Sequence, residues 1–170
     1  MQLQQLLKIQ LLISGAVFFL SGCNPAGKEL GWSEETQIYN AEADDLMMAA
    51  AQQESRKTIG EFITALKSGD TTAYNFGVKA AFPADGFQEH IWLGNLTVKG
   101  DSIYGVIDNE PEYTKAVIMG QRVAIHKDSI TDWNYTKNSR LVGGYSIRVI
   151  RNRMSPKERA EFDQATEWKF

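Results

Sequence analysis

Residues 91–107 read Ile91-Trp92-Leu93-Gly94-Asn95-Leu96-Thr97-Val98-Lys99-Gly100-Asp101-Ser102-Ile103-Tyr104-Gly105-Val106-Ile107, and their pairing decides the fold. Lys99-Gly100-Asp101-Ser102 suits a two-residue hairpin with glycine at its first central position. That register sets Val98 opposite Ile103 and Leu96 opposite Gly105. Continued unbroken, it turns Ile91 and Leu93 to the other face, because side chains alternate along a strand. One extra residue at Gly94-Asn95 restores them and sets Leu93 opposite Ile107. The sequence therefore predicts a β-bulge at Gly94-Asn95.

Working outward, Phe76, Val78, Ala80 and Phe82 alternate through 75–82, and Pro83 to Gly86 makes the turn into this hairpin. Two further strands are expected around Arg122–His126 and Ile130–Tyr135. Before the sheet, Asp44 or Asp45 can cap a long helix over about 45–68. Met47, Ala51, Ile59, Phe62, Ile63 and Leu66 form its apolar face, and Gly69 closes it. After the sheet, Gly143-Gly144 reads as a turn. Tyr145, Ile147, Ile150 and Met154 suit a helix. Ser155-Pro156-Lys157-Glu158 is a capping box that starts a last helix, running to about Trp168. The expected class is α+β: a curved antiparallel sheet of about five strands, small and barrel-like, with a long N-terminal helix and C-terminal helices.

Composition narrows the function. The 170 residues are 43% hydrophobic and 23% charged, with 4 Pro, 14 Gly and 1 Cys, which excludes a low-complexity chain and a disulfide scaffold. A net charge of -3 argues against a general nucleic-acid binder, whose phosphate contacts need a basic excess. Residues 1–22 have the layout of a signal peptide: Lys8 in a weakly basic start, then an uncharged run from Leu11 to Leu20. That run is too short to span a bilayer comfortably.

Leu20-Ser21-Gly22-Cys23 resembles the lipobox of bacterial lipoproteins. The resemblance implies diacylglyceryl transfer to Cys23, cleavage before it, and acylation, palmitate included, of the new terminus. Several acyl chains at about 0.8 kcal/mol per buried methylene anchor a domain stably where one does not. Asn24, where inner-membrane lipoproteins of enterobacteria usually carry Asp, favours the outer over the inner membrane. The expected organisation is a leader over 1–22, a lipidated tether over 23–43, and one α+β domain over 44–170. The domain would face the periplasm.

Candidate chemistry is sparse. Glu89 and His90 are a carboxylate and an imidazole side by side, but strand neighbours point to opposite faces. His126 is the other histidine, and with Asp132 it could converge on His90 across the sheet. No metal-ligand spacing, nucleophile elbow or phosphate loop is present, so no metal or cofactor is expected. Asp132, read on the same face as Ile130, either caps backbone amides at a bend or lines a polar site, and the cap is favoured. Arg148, Arg151, Arg153, Lys157 and Arg159 form a basic stretch.

Val78-Lys79-Ala80-Ala81-Phe82, Glu89-His90-Ile91-Trp92-Leu93, Gly105-Val106-Ile107 with Asn109 and Pro111, and Ile130-Thr131-Asp132-Trp133-Asn134-Tyr135 with Gly143-Gly144-Tyr145 resemble the YegJ-like family, the bacterial domain of unknown function 2314. The likeness covers about residues 45–153. One departure is Gln121 after Gly120, where the family pattern has Asp. The resemblance brings no activity and no catalytic residue. It implies a compact α+β domain and suggests that Glu89, His90, Trp92, Asp132 and Trp133 mark one surface.

Three readings follow. The favoured one is a lipid-anchored envelope binding module, held to the membrane through Cys23 and meeting an envelope protein or small ligand, without nucleic acid. The second is an envelope hydrolase using His90 or His126 with Glu89 or Asp132. The third is an envelope scaffold without a ligand.

Overall fold

The computed structural model describes residues 10–14, 31–33, 38–42, 45–166 and 168–170. Cys23 and the lipobox around it lie outside the described residues. The elements in chain order are β1 (Gln10–Ser14), β2 (Gly31–Ser33), β3 (Ile38–Glu42), α1 (Leu46–Lys67), β4 (Ala73–Ala84), β5 (Phe87–Lys99), β6 (Ser102–Ile107), β7 (Arg122–His126), β8 (Ile130–Lys137), β9 (Arg140–Gly143), α2 (Tyr145–Arg153) and α3 (Pro156–Thr166). From residue 45 onward, β7-β6-β5-β4-β8-β9 lie side by side as one antiparallel sheet. The sheet is curved but not closed. The α+β class and the curved antiparallel sheet are those expected; the sheet stays open and has six strands where about five were expected, the sixth being β9, too short for alternation to reveal.

The hairpin register is as the sequence dictates. Val98 faces Ile103, Leu93 faces Ile107, and the ladder shifts between Gly94 and Thr97. The extra residue, Asn95, takes a φ of +48°, and Gly100 in the turn takes +57°. Ahead of the domain, β1 lies antiparallel to Phe87–His90, β3 runs parallel to β1, and β2 pairs with β3. The stretch expected to be an irregular tether thus contains two short strands. β1 thus covers the first half of β5, which β6 does not reach and which would otherwise be an unpaired edge, a template for strand addition.

Helix α1 starts where Asp45 accepts from the amides of Met47 and Met48, both at 3.1 Å. Its buried face carries Met48, Ala51, Ser55 and Phe62, while Met47 is 52% exposed. The face begins one residue later than the spacing suggested, since Met47 and Met48 stand four and three residues before Ala51 and both spacings fit a helix. Phe62 enters a core with Val78, Ala80, Phe82, Ile91, Leu93, Ile130 and Trp133 from the sheet's inner face.

A second irregularity was not foreseen. Lys79 pairs with Asp132 but Ala80 pairs with Ile130, so Thr131 is an extra residue in β8. Ile130 and Trp133 both reach the inner core, and Asp132 is turned to the outer face opposite Lys79. The placement of Asp132 beside Ile130 is thereby corrected: the bulge breaks the two-residue alternation on which it rested.

The outer face is covered by α2, α3 and the C-terminal residues. Trp92, Leu141 and Ile147 pack there with Phe162, Trp168 and Phe170. Ser155 and Glu158 form the capping box that begins α3, each side chain bonded to the other's amide. The Lys169 backbone closes the edge of β9, donating to Ser139 O and accepting from Leu141 N.

Two glycines separate conformational need from packing need. Gly143 has a φ of +70°, and a Cβ there would lie 2.4 Å from the Trp133 ring and carbonyl. Gly60, inside α1, has nothing within 4 Å of an added Cβ. Gly143→Ala is expected to destabilise by about 2–4 kcal/mol, from left-handed strain plus overpacking. Gly60→Ala is expected to stabilise by about 0.5–1 kcal/mol. Urea unfolding of both variants beside the parent measures the two signs.

Candidate functional site

The outer face of the sheet holds a buried charged cluster, built by the Thr131 bulge. Asp132 is 0% exposed, and four donors surround its carboxylate. Oδ1 accepts from the amides of Trp133 at 2.8 Å and Tyr145 at 3.1 Å. Oδ2 accepts from the Ser146 amide at 2.8 Å and the Ser146 hydroxyl at 2.5 Å. Tyr145 and Ser146 open α2, so Asp132 occupies the positive end of that helix. The favoured role as a backbone cap is thus the one observed.

Lys79, 1% exposed, donates from Nζ to Ser146 Oγ at 3.2 Å and lies over the Trp92 ring, 4.6 Å from its centroid. Burial pulls the Lys79 ammonium down to about 8, and the Asp132 charge partly offsets this. Burial also pushes the Asp132 carboxyl up, against the Lys79 charge and the Ser146 and Trp133 hydrogen bonds. A serine between a lysine and a carboxylate has the parts of a nucleophile with its base. Here Ser146 is 2% exposed, its hydroxyl donates to Asp132, and the arrangement ties α2 to β4 and β8.

Lys79 is the residue that sequence reasoning missed. It stands in an alternating strand at an ordinary outward position, and the signal was available in its partners across the sheet, Trp92 and Asp132.

The five residues expected to mark one surface do not form one. Glu89, His90, Trp92, Asp132 and Trp133 are 0%, 3%, 6%, 0% and 1% exposed. They are also divided. Glu89 shares a face with Ile91 and Leu93, Trp133 is central to the inner core, and the other three lie on the outer face. Burial follows from coverage of both faces, the inner by α1 and the outer by the C-terminal elements.

Each of the five has a structural partner. Glu89 accepts from the amides of Glu112 (2.7 Å), Tyr113 (2.9 Å) and Thr114 (2.6 Å), fixing the loop between β6 and β7. The Trp133 indole donates to Ser55 O at 3.0 Å. His90 Nδ1 lies 2.9 Å from Thr131 Oγ1. Burial lowers the His90 imidazole to about 3, with the Lys79 and Arg56 charges adding to the effect. Such an imidazole is neutral at physiological pH and a poor general base.

His126 does not approach His90. Ser102 pairs with both Lys99 and His126, so His126 stands level with Lys99, nine residues along β5 from His90. At about 3.3 Å per residue that is roughly 30 Å of strand. His126 instead caps a short turn, accepting from the Asp128 amide at 3.3 Å. The basic stretch is occupied too: Arg151 forks onto Asp163, Arg153 onto Asp45, and Arg148 donates to the carbonyls of Gly143 and Leu141. Gln121 closes its turn through Oε1, accepting from the Ile118 amide at 3.0 Å, a job a shorter carboxylate could also do. Among the described residues, no cluster of three His, Cys, Asp or Glu could hold a metal ion. Among them, no helix is long and apolar enough to cross a membrane.

A cleft of about 650 Å³ runs beside α1, lined by Lys57, Gly60, Glu61, Thr64, Tyr135 and Lys137 among others.

Residues 45–170, the helix-and-sheet unit just described, match the family model "Uncharacterized protein conserved in bacteria (DUF2314)", and the chain belongs to that family. It is 34% identical over 140 residues to "Uncharacterized protein YegJ" of Escherichia coli (strain K12), covering 82% of this chain and 85% of that one. It is also 33% identical over 139 residues to a "Putative ankyrin repeat protein" of Neisseria meningitidis serogroup B, covering 77% of this chain. The chain spans about half, 55%, of that relative's length. No solved structure matches.

Two stability tests follow from the cluster. Asp132→Ala, which strands Lys79 and two helix amides, is expected to cost about 3–5 kcal/mol. Lys79→Met should cost less, because Asp132 keeps its four donors; equal losses in urea unfolding would refute this ranking.

For His90 the sign is set by its lowered value. Between about pH 6.5 and 3 the unfolded chain binds the proton and the folded chain does not, so stability falls as pH falls, by about 1.4 kcal/mol per unit. Relative to His90→Gln, the parent should lose about 2 kcal/mol more between about pH 7 and 5. Parallel loss curves in the two proteins would contradict a buried neutral imidazole.

Proposed function

We propose that the chain is a lipid-anchored interaction module of the bacterial envelope, held through acylated Cys23 and presenting the α1 cleft to a partner. Leu20-Ser21-Gly22-Cys23 supports the anchor, and Asn24 supports the outer membrane. The cleft carries the interaction reading. Gly60 weakens the middle of α1 by about 1 kcal/mol relative to alanine. The fold does not require it, since a Cβ there would meet nothing. A helix interior left bare beside a cleft leaves room for an occupant from outside. Lys57, Glu61, Asp70 and Lys137 around that space carry both signs of charge, which suits a polar protein surface.

The hydrolase reading finds no comparable support. Glu89 and Asp132 are engaged by backbone amides, and the histidines stand far apart along the sheet.

A photo-crosslinking residue at exposed Thr64, in the full chain in intact cells, tests the cleft. The expected outcome is one adduct of defined mass that disappears with Gly60→Gln while stability is kept. Absence of an adduct, or one indifferent to Gly60→Gln, overturns the cleft and favours a scaffold. Labelled palmitate tests the anchor separately: incorporation should be lost in Cys23→Ala, and no incorporation into the parent overturns it.

A further inference from the structure

The link between β6 and β7 is longer than its ends require. Val106 pairs with Arg122, so a tight turn could join the two strands, yet residues 108–121 make an excursion. The excursion is built rather than loose. Glu89 holds three of its amides, Asn109 Oδ1 accepts from the Trp92 amide at 3.0 Å, and Thr114 Oγ1 donates to Pro83 O at 2.6 Å. Val117, 6% exposed, plugs the core. The chain then turns outward, leaving Ile118 68% and Met119 50% exposed, and returns through the Gly120 and Gln121 bonds to Ile107.

A pinned loop that ends in two adjacent exposed apolar side chains has its ordering entropy already met before any contact. The sequence of this limb is one-sided in charge. From Thr114 to Lys127 there is no acid and Lys115 and Arg122 are basic, while Lys127 is paired with Asp101 at 2.7 Å and Arg122 also donates to Thr97 Oγ1 at 2.8 Å. The loop's acids, Asp108, Glu110 and Glu112, all precede this limb.

We propose that the Ile118-Met119 tip is a membrane-contact element, inserting at the headgroup boundary of an anionic bilayer with Lys115 and Arg122 at the phosphates. This rests on the lipid-anchor reading: acylated Cys23 and the short stretch to Asp45 keep the domain within reach of that surface. Two apolar side chains and two cations bind a bilayer weakly from solution. At the high effective concentration set by an anchor they suffice to orient the domain.

The test uses the mature chain, purified with its lipid and reconstituted in phosphatidylethanolamine/phosphatidylglycerol vesicles. If Cys23 is acylated, Met119→Cys supplies the one free thiol for an environment-sensitive fluorophore, and Lys57→Cys on α1 is the control. Nitroxide lipids should quench the Met119 label at least about two-fold more than the Lys57 label. Ile118→Ser, or replacing phosphatidylglycerol by phosphatidylcholine, should reduce that difference. Equal quenching at both sites overturns the proposal. The mass of the purified protein reports acylation independently. If Cys23 proves free, the anchor reading fails and the tip proposal falls with it, whereas equal quenching on an acylated chain overturns the tip alone.

Discussion

The architecture depends on one buried carboxylate. Asp132 is taken fully out of water, a transfer that is prohibitive for a lone charge. Four hydrogen bonds and the Lys79 ammonium offset that cost, and they come from three structural commitments. The Trp133 amide is available because β8 bulges at Thr131. The Tyr145 and Ser146 amides are available because Gly143 and Gly144, both with positive φ, end β9 and turn the chain into α2. Lys79 is available because β4 pairs with β8 in this register. A change in any of the three leaves a buried charge short of partners. The cluster therefore makes strand register and helix placement conditional on each other, which an apolar contact of the same size would do less strictly. Buried ionic groups are not reliable sources of net stability, so this linkage of elements is the better account of the cluster.

Glu89 does for the β6–β7 excursion what Asp132 does for α2. It accepts three consecutive amides and converts a long connection into a fixed object. Both carboxylates that sequence reasoning offered as acids or bases are thus devoted to backbone groups, and the neutral His90 is bound to the hydroxyl of the bulge residue. The polar interior organises the domain. Outward chemistry is left to what the interior positions: the cleft along α1 and the tip of the excursion.

The legible parts of the fold were those where two independent signals met. The Gly94-Asn95 bulge could be read because apolar residues on both strands fixed the register while Gly100 fixed the turn. The α3 start could be read because Ser155, Pro156 and Glu158 each mark a helix N-terminus. The Thr131 bulge carries no such mark, for threonine is at home in regular strands and nothing local says that it is extra. One unread residue moved Asp132 to the wrong face. His90 and Trp92 do share a face, as alternation requires, but the five residues were taken for a surface because composition alone does not say which faces later elements cover. Trp168 and Phe170 close that face from the far end of the chain, too distant in sequence for periodicity to register.

The sheet edges bear on how such a domain can recognise anything. Strand addition needs an exposed, flat edge with free backbone groups. The β9 edge is closed by Lys169, and the first half of β5 is paired with β1 in the full chain, an edge that cleavage before Cys23 would open. The outer strand β7 is short, with Arg122 and His126 exposed at its two ends and Val123 and Ile125 turned to the core. Short length and exposed polar ends are the usual means of discouraging edge pairing. The β9 and β7 edges are thus closed or blunted, which leaves recognition there to side chains. Side chains are presented by the helix segment around Gly60, where Lys57 and Lys137 keep partners in Glu54 and Asp70, and by the Ile118-Met119 turn. They lie on different elements, one beside the long helix and one at the end of a rigid loop, so contact with a bilayer through the loop need not obstruct a partner in the cleft.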